Sequence, residues 1–296
     1  MNGFMQFILD SLSVGVTYAV LALGLTLVFS VMNLVNFAYG LLLVWTAYCF
    51  FVFSNWNWPF WFSILAAVSS AVLLSLLMGY VAFRPFIGAP PITLLITSLG
   101  VLLVGQYIAI LIFGEKPVIL QVPRYMSSNL SVGGLRIGVL QIVAIGCGAV
   151  VVGGFYGLLY MTPFGMRLRA SAEQPETARL MAIKPDHVLM AAFAVSGAIA
   201  GIAGLIWFMK AGAVTPRSDM DPTLKAFISL VLGGLGRISG SILGGLSLGF
   251  IEVGLATLLP DAIQVYAPTI VFGIVILILI ARPQGLAVRK VAMASK

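Results

Sequence analysis

The sequence predicts an all-α protein, a polytopic transmembrane helical bundle with about 8–9 hydrophobic segments, some of them broken or re-entrant. Three observations carry this expectation. Residues 11–83 contain no Asp, Glu, Lys or Arg, and further uncharged runs cover 85–114, 137–166, 188–209 and 262–281. Of the 296 residues, 61% are hydrophobic and only 8% charged, with a mean hydropathy of +1.11. The apolar runs are also continuous, whereas a membrane β-barrel alternates apolar and polar residues along each strand. Helices pair their own backbone groups, which hydrocarbon requires.

Apolar spans are read at about 4–30, 37–54, 59–83, 92–113, 138–160, 188–209, 223–236, 239–259 and 264–281, each judged against about 20 residues per crossing. Residues 1–7 have no basic n-region and no A-x-A-like site follows, so the first run is expected to remain as a helix. Trp56 and Trp58 flank a turn and suit the headgroup region. Arg84-Pro85 and Pro90-Pro91 mark another interfacial turn, because proline removes a backbone donor. Three longer polar segments follow: an ordered surface loop at 115–136, the most polar stretch at 162–187, and a loop at 210–222. The whole chain reads as a single transmembrane domain, 1–296, with 162–187 projecting from it.

Charge sets the orientation. The net charge of +7 is not read as a nucleic-acid surface, since Arg282, Arg289, Lys290 and Lys296 lie in a tail without acids, the mark of a cytoplasmic flank. Counting back places 162–187 inside and both 115–136 and 210–222 outside; if all nine runs cross, the N-terminus is outside. Cys49 and Cys147 sit in apolar runs and read as packing residues. A single histidine, His187, leaves no HExxH zinc site, and no GxxxxGK[ST] phosphate loop occurs. No catalytic residue, metal ligand or cofactor site is assigned.

Two interruptions stand out. The run 223–236 is only about 21 Å long as a helix and leads into the glycine-rich 233–240. Asn33 and Asn36 interrupt the first long apolar stretch, with Gly40 following. One break in each half points to an internal duplication and to broken helices beside a substrate path, although 233–240 also fits a tight surface hairpin. Glycines four apart, such as Gly245 and Gly249 or Gly197 and Gly201, suit close helix packing in lipid. Glu252 is the one acid deep in a span, and a structural pair with Lys225 or Arg237, or hydrogen bonding to a neighbouring helix, is expected to hold it. Within the inside loop, residues 173–183 are expected to form a short amphipathic helix: Pro175 suits its first turn, and Glu176 can pair with Arg179.

Three segments carry a family resemblance. Residues 18–40, ending Asn33-Leu-Val-Asn-Phe-Ala-Tyr-Gly40, the loop 169–183, and the run 233–245 resemble LivH-type permeases, membrane subunits of ABC importers for branched-chain amino acids. The resemblance covers nearly the whole chain in order. It implies a bacterial inner-membrane permease that works with a second, LivM-type permease, two cytosolic ATPase subunits and a periplasmic substrate-binding protein. ATP and Mg would be bound by those ATPases, which fits a chain without a phosphate loop of its own. It further implies ATPase coupling through Arg169, Ala172, Glu173, Glu176, Thr177, Ala178, Arg179, Leu180 and Met181. Asn33, Asn36, Tyr39, Gly40, Gly236, Ser239 and Gly240 are the expected substrate-path residues. Related machinery carrying urea, short amides or other amino acids remains an alternative, as does an ion-coupled secondary transporter, for which Glu252 is the only intramembrane acid available.

Overall fold

The computed structural model describes residues 2–32, 35–86, 88–132, 134–173, 181, 185–260, 263–282 and 285–286. Within them the chain forms ten α-helices: α1 Asn2–Met32, α2 Tyr39–Asn55, α3 Phe60–Met78, α4 Pro91–Phe113, α5 Val139–Met161, α6 Pro163–Glu173, α7 Pro185–Ala211, α8 Met220–Gly233, α9 Ile238–Leu258 and α10 Ala267–Ala281. A π-helical turn at Gly79–Phe83 and a 3-10 turn at Arg84–Phe86 extend α3. Seven helices are long and apolar enough to cross a membrane, and α2 is a shorter apolar one. The nine apolar runs thus become α1–α5 and α7–α10, and the protein is a multi-pass membrane protein.

The ends of the bundle are tied by polar contacts. At one end Gln6 bonds the backbone of Arg136 through both its amide atoms, and Gln6 and Gln141 both donate to Asp10. The expected ordered loop at 115–136 is here, built as short strands. β1 Val118–Ile119 pairs antiparallel with β4 Ala213–Val214, and β2 Asn129–Val132 pairs with β3 Leu135–Gly138. At the other end Arg84 pairs with Asp186 at 2.9 Å, Ser30 Oγ donates to Gly236 O at 3.3 Å, and Leu286 N donates to Leu232 O at 2.8 Å. The start of α1 and Leu286 therefore lie at opposite ends, the parity that nine crossings require.

The helices repeat in the same order with inverted direction: α1–α4 are matched by α7–α10. α1 packs on α9 as α7 packs on α3; α2 packs on α3 as α8 packs on α9; α1 lies against α8 as α7 lies against α2. Small residues make the long crossings. Gly249 sits on the Gly15 backbone between α9 and α1, and Gly197 sits on Ala71 and Ser75 between α7 and α3. Lipid supplies no hydrophobic drive for helix association, so close backbone approach and interhelical hydrogen bonds must supply it. Two such bonds hold α7 in place: Ser75 Oγ to Phe193 O at 2.6 Å and Ser196 Oγ to Gly24 O at 2.8 Å.

This symmetry revises the sequence reading of the duplication. The break between α1 and α2, described at 35–38, is matched by the break after α7, at 212–219, and not by 233–240. The glycine-rich run is the tight turn joining α8 to α9, equivalent to the Trp56–Pro59 turn between α2 and α3. The core lies where α1, α2, α7 and α8 meet, around Leu21, Leu25, Leu42, Tyr48 and Phe208. The outer helices turn Leu111, Val150, Leu277 and Ile280 outward, the surface that lipid covers.

Candidate functional site

Both breaks lead into the bilayer interior. Tyr39, at the start of α2, is fully buried with its ring on Gly24, eight residues before α1 ends. The restart of helix at Tyr39 therefore lies about 12 Å back along α1 from its end at Met32. Asn36 makes that restart: its Oδ1 accepts from Ala38 N at 3.0 Å, and its carbonyl accepts from Tyr39 N at 3.2 Å. The break after α7 descends in the same way to Asp219, whose Oδ1 accepts from Gln106 Nε2 at 2.8 Å, about 10 Å below the end of α4.

The two restarts meet. A methyl group on Gly40 would strike Thr223 Oγ1 and come within 2.7 Å of the Asp219 carbonyl, so the first turns of α2 and α8 touch backbone to backbone. Two helix N-termini converge there, and the Asp219 carboxylate sits beside them with the sign their dipoles favour. Asn36, Tyr39 and Gly40 are thus enclosed by this chain itself, with Asn36 only 2% exposed.

The other expected path residues are elsewhere. Gly236 lies in the α8–α9 turn, and Ser239 and Gly240 in the first turn of α9, at the end of the bundle that holds Leu286; Gly234 and Gly236 take φ of 104° and 77°. Ser239 is exposed and Gly240 is packed on Gly233. The structure does not bring this turn and the Asn36–Gly40 junction together. Asn33 lies outside the described residues.

Of the expected coupling residues, Arg169 belongs to α6, with its guanidinium 4.7 Å over the Tyr160 ring. Ala172 and Glu173 end that helix. Met181 is in a turn and 74% exposed. Glu176, Thr177, Ala178, Arg179 and Leu180, and so most of the expected helix at 173–183, lie outside the described residues, as do Arg289, Lys290 and Lys296. The sequence reading did not find α6 itself. It starts at once after α5, where Thr162 Oγ1 bonds Leu158 O and accepts from Gly165 N at 3.2 Å.

Of two further features, the first was expected in part and the second went unread. Tyr18 OH donates to Glu252 Oε2 at 2.8 Å, and Lys225 Nζ lies 2.6 Å from the same oxygen, tying α1, α8 and α9. Of the two partners expected for Glu252, Lys225 is the one that holds it. In front of this cluster lies a cavity of about 420 Å³ with Val14, Thr17, Tyr18, Trp207, Phe208, Lys210, Ser218 and Asp221 in its walls. Its signal in the sequence was the polar segment from Lys210 to Asp221, read there only as a loop.

The profile of the family described as branched-chain amino acid transport system / permease component matches residues 7–280. The chain belongs to this family. Among its relatives are the high-affinity branched-chain amino acid transport system permease protein BraD of Pseudomonas aeruginosa, 28% identical over 96% of this chain and 95% of that protein. LivH of Escherichia coli K12, a protein of the same description, is 28% identical with the same coverage. A probable branched-chain amino acid transport permease LivH of Methanocaldococcus jannaschii is 30% identical over 90% of this chain and 87% of that one. No solved structure matches. The family resemblance read from the motifs at 18–40, 169–183 and 233–245 therefore holds across almost the whole chain, and the protein is a membrane permease subunit of an ABC transport system.

Proposed function

We propose that this permease imports branched-chain amino acids across a bacterial inner membrane, paired with a second, LivM-type permease. The observation that carries the substrate is the end-to-end match to permeases named for that substrate in both bacterial and archaeal relatives. Two cytosolic ATPases would bind ATP and Mg and drive the cycle, and a periplasmic binding protein would deliver substrate. The end of the bundle with the β-ribbons is then the outer one, and α6 and Met181 face the ATPases. In this arrangement Asn36, Tyr39 and Gly40 shape the path from behind by fixing where α2 begins, while Gly236, Ser239 and Gly240 lie at its inner end.

The test is ATP-dependent uptake by proteoliposomes containing the assembled complex with its binding protein. Leucine, isoleucine and valine should be taken up and compete with one another. Uptake of urea or a short amide, uninhibited by leucine, would replace this reading with the alternative substrate class. Uptake driven by an ion gradient without ATP would remove the ABC mechanism.

A further inference from the structure

We infer that the cavity between α1, α7 and the start of α8 is a binding station for one free amino acid in its zwitterionic form; this rests on the import reading above. Its walls carry one full charge of each sign. Lys210 Nζ donates to Ser13 Oγ at 2.9 Å and lies 3.3 Å from Thr17 Oγ1 and 3.4 Å from Ser13 O. All three acceptors are neutral. Among the described residues neither Lys210 nor Asp221 enters a salt bridge. Asp10, held by Gln6 and Gln141, lines the neighbouring hollow, which also reaches Lys210. Lys225 is taken by Glu252 behind the Tyr18 ring. Among the described groups that line the cavity, these two charges are the unpaired ones.

Much of the rest of the wall is apolar and aromatic, with Val14, Tyr18, Trp207 and Phe208 in it. A small-molecule site is mostly apolar with a few placed polar groups that fix orientation. An α-carboxylate meets Lys210, an α-ammonium meets Asp221, and an aliphatic side chain lies on the rings. The cavity, at about 420 Å³, is large enough for one amino acid of leucine's size. It opens at the end of the bundle where the binding protein would dock, so substrate released there would enter it first.

The test uses the assembled complex in nanodiscs, with Cys49 and Cys147 replaced by Ala and a thiol introduced by Ala211→Cys at the mouth or, separately, by Ser218→Cys. The rate of alkylation by a charged maleimide is followed as ligand is added. Leucine should slow it, whereas 4-methylpentanoate, which lacks the ammonium, and 3-methylbutylamine, which lacks the carboxylate, should not. Lys210→Gln and Asp221→Asn should each raise the half-protecting leucine concentration about ten-fold or more. If leucine is imported but no amino acid protects either thiol, the station is wrong and the import reading stands. If leucine is not imported but another transported amino acid protects, the station stands and the branched-chain assignment falls. Protection that follows the phosphatidylethanolamine content of the nanodisc, and not added amino acid, would give the cavity to a lipid headgroup and overturn the proposal.

Discussion

Lys225 Nζ lies 2.6 Å from Glu252 Oε2, the same oxygen that accepts a hydrogen bond from the Tyr18 hydroxyl at 2.8 Å. The lysine side chain is 9% exposed and the glutamate 31%, so the pair is half shielded at the place where α1, α8 and α9 meet. A lone charge in a bilayer is costly, and the two charges neutralise each other there. The pair joins α8 to α9 within the second repeat, and Tyr18 ties it to α1, the first helix of the other.

From this arrangement, removing one charge is worse than removing both. Lys225→Met leaves Glu252 without its cation and should lower stability by about 2–3 kcal/mol, below the cost of a fully buried pair because Glu252 still reaches solvent. Lys225→Met combined with Glu252→Gln should recover most of that loss. Thermal unfolding of the purified complex measures both. Glu252→Gln alone should retain most ATP-dependent uptake per assembled complex, with no new pH dependence between about pH 6 and 8, since ATP-driven import needs no titrating acid. Loss of uptake in a complex that still assembles and hydrolyses ATP would give Glu252 a part in transport.

The restart of α2 rests on Asn36. Its side chain accepts from Ala38 N, an Asx turn that sets the backbone just before the helix. Asn36→Ala should cost about 1 kcal/mol through the lost hydrogen bond, and Asn36→Asp should cost more, because it buries an unpaired carboxylate at a position only 2% exposed. Asn36→Leu adds bulk to a closed junction and should reduce uptake more than it reduces assembly. Equal loss of both would show that the junction serves folding alone.

How far the sequence could be read depended on the range of the interaction. Continuous apolar runs are a local signal, and all nine became helices. The pairing of Glu252 was legible as a need, because an isolated acid in lipid must find a partner, and Lys225 was one of two cations within reach. The pairing of breaks was not. Glycines at 233–240 look like a broken helix, but a short helix followed by a tight turn has the same composition. The true counterpart of 35–38, at 212–219, is polar and proline-bearing and passes for an ordinary loop. Only the packing of Gly40 on Thr223 and Asp219 reveals that it dips inward. The cavity walls come from α1, α7 and the first turn of α8, so no stretch of sequence holds them together.

Coupling to an ATPase should pass through the segment after α5. Ala170 and Met181 are exposed, so Ala170→Cys and Met181→Cys are expected to crosslink to the ATPase subunit and not to the binding protein. Nucleotide should change the yield by shifting the contact. Crosslinks to the binding protein instead would invert the orientation of the whole bundle.

The inverted repeat predicts matched sensitivities at matched crossings. Gly249 rests on the Gly15 backbone, and Gly197 lies where an added methyl would come 2.6 Å from Ser75 Cβ and 2.9 Å from Ala71 O. In each case the obstructing group includes backbone, which cannot rotate aside. Gly249→Ala and Gly197→Ala should therefore each destabilise the protein by about 1–3 kcal/mol, the usual cost of overpacking. Gly100 has nothing within 4 Å of the same added atom, and Gly100→Ala should be neutral or slightly stabilising, as alanine favours helix over glycine by up to about 1 kcal/mol. Thermal unfolding of the three variants in the assembled complex measures the series. Two crossings that are equivalent by symmetry should give losses of similar size. A large loss at Gly249 with none at Gly197 would mean that α1–α9 alone carries the bundle and that the α3–α7 crossing yields to the extra methyl.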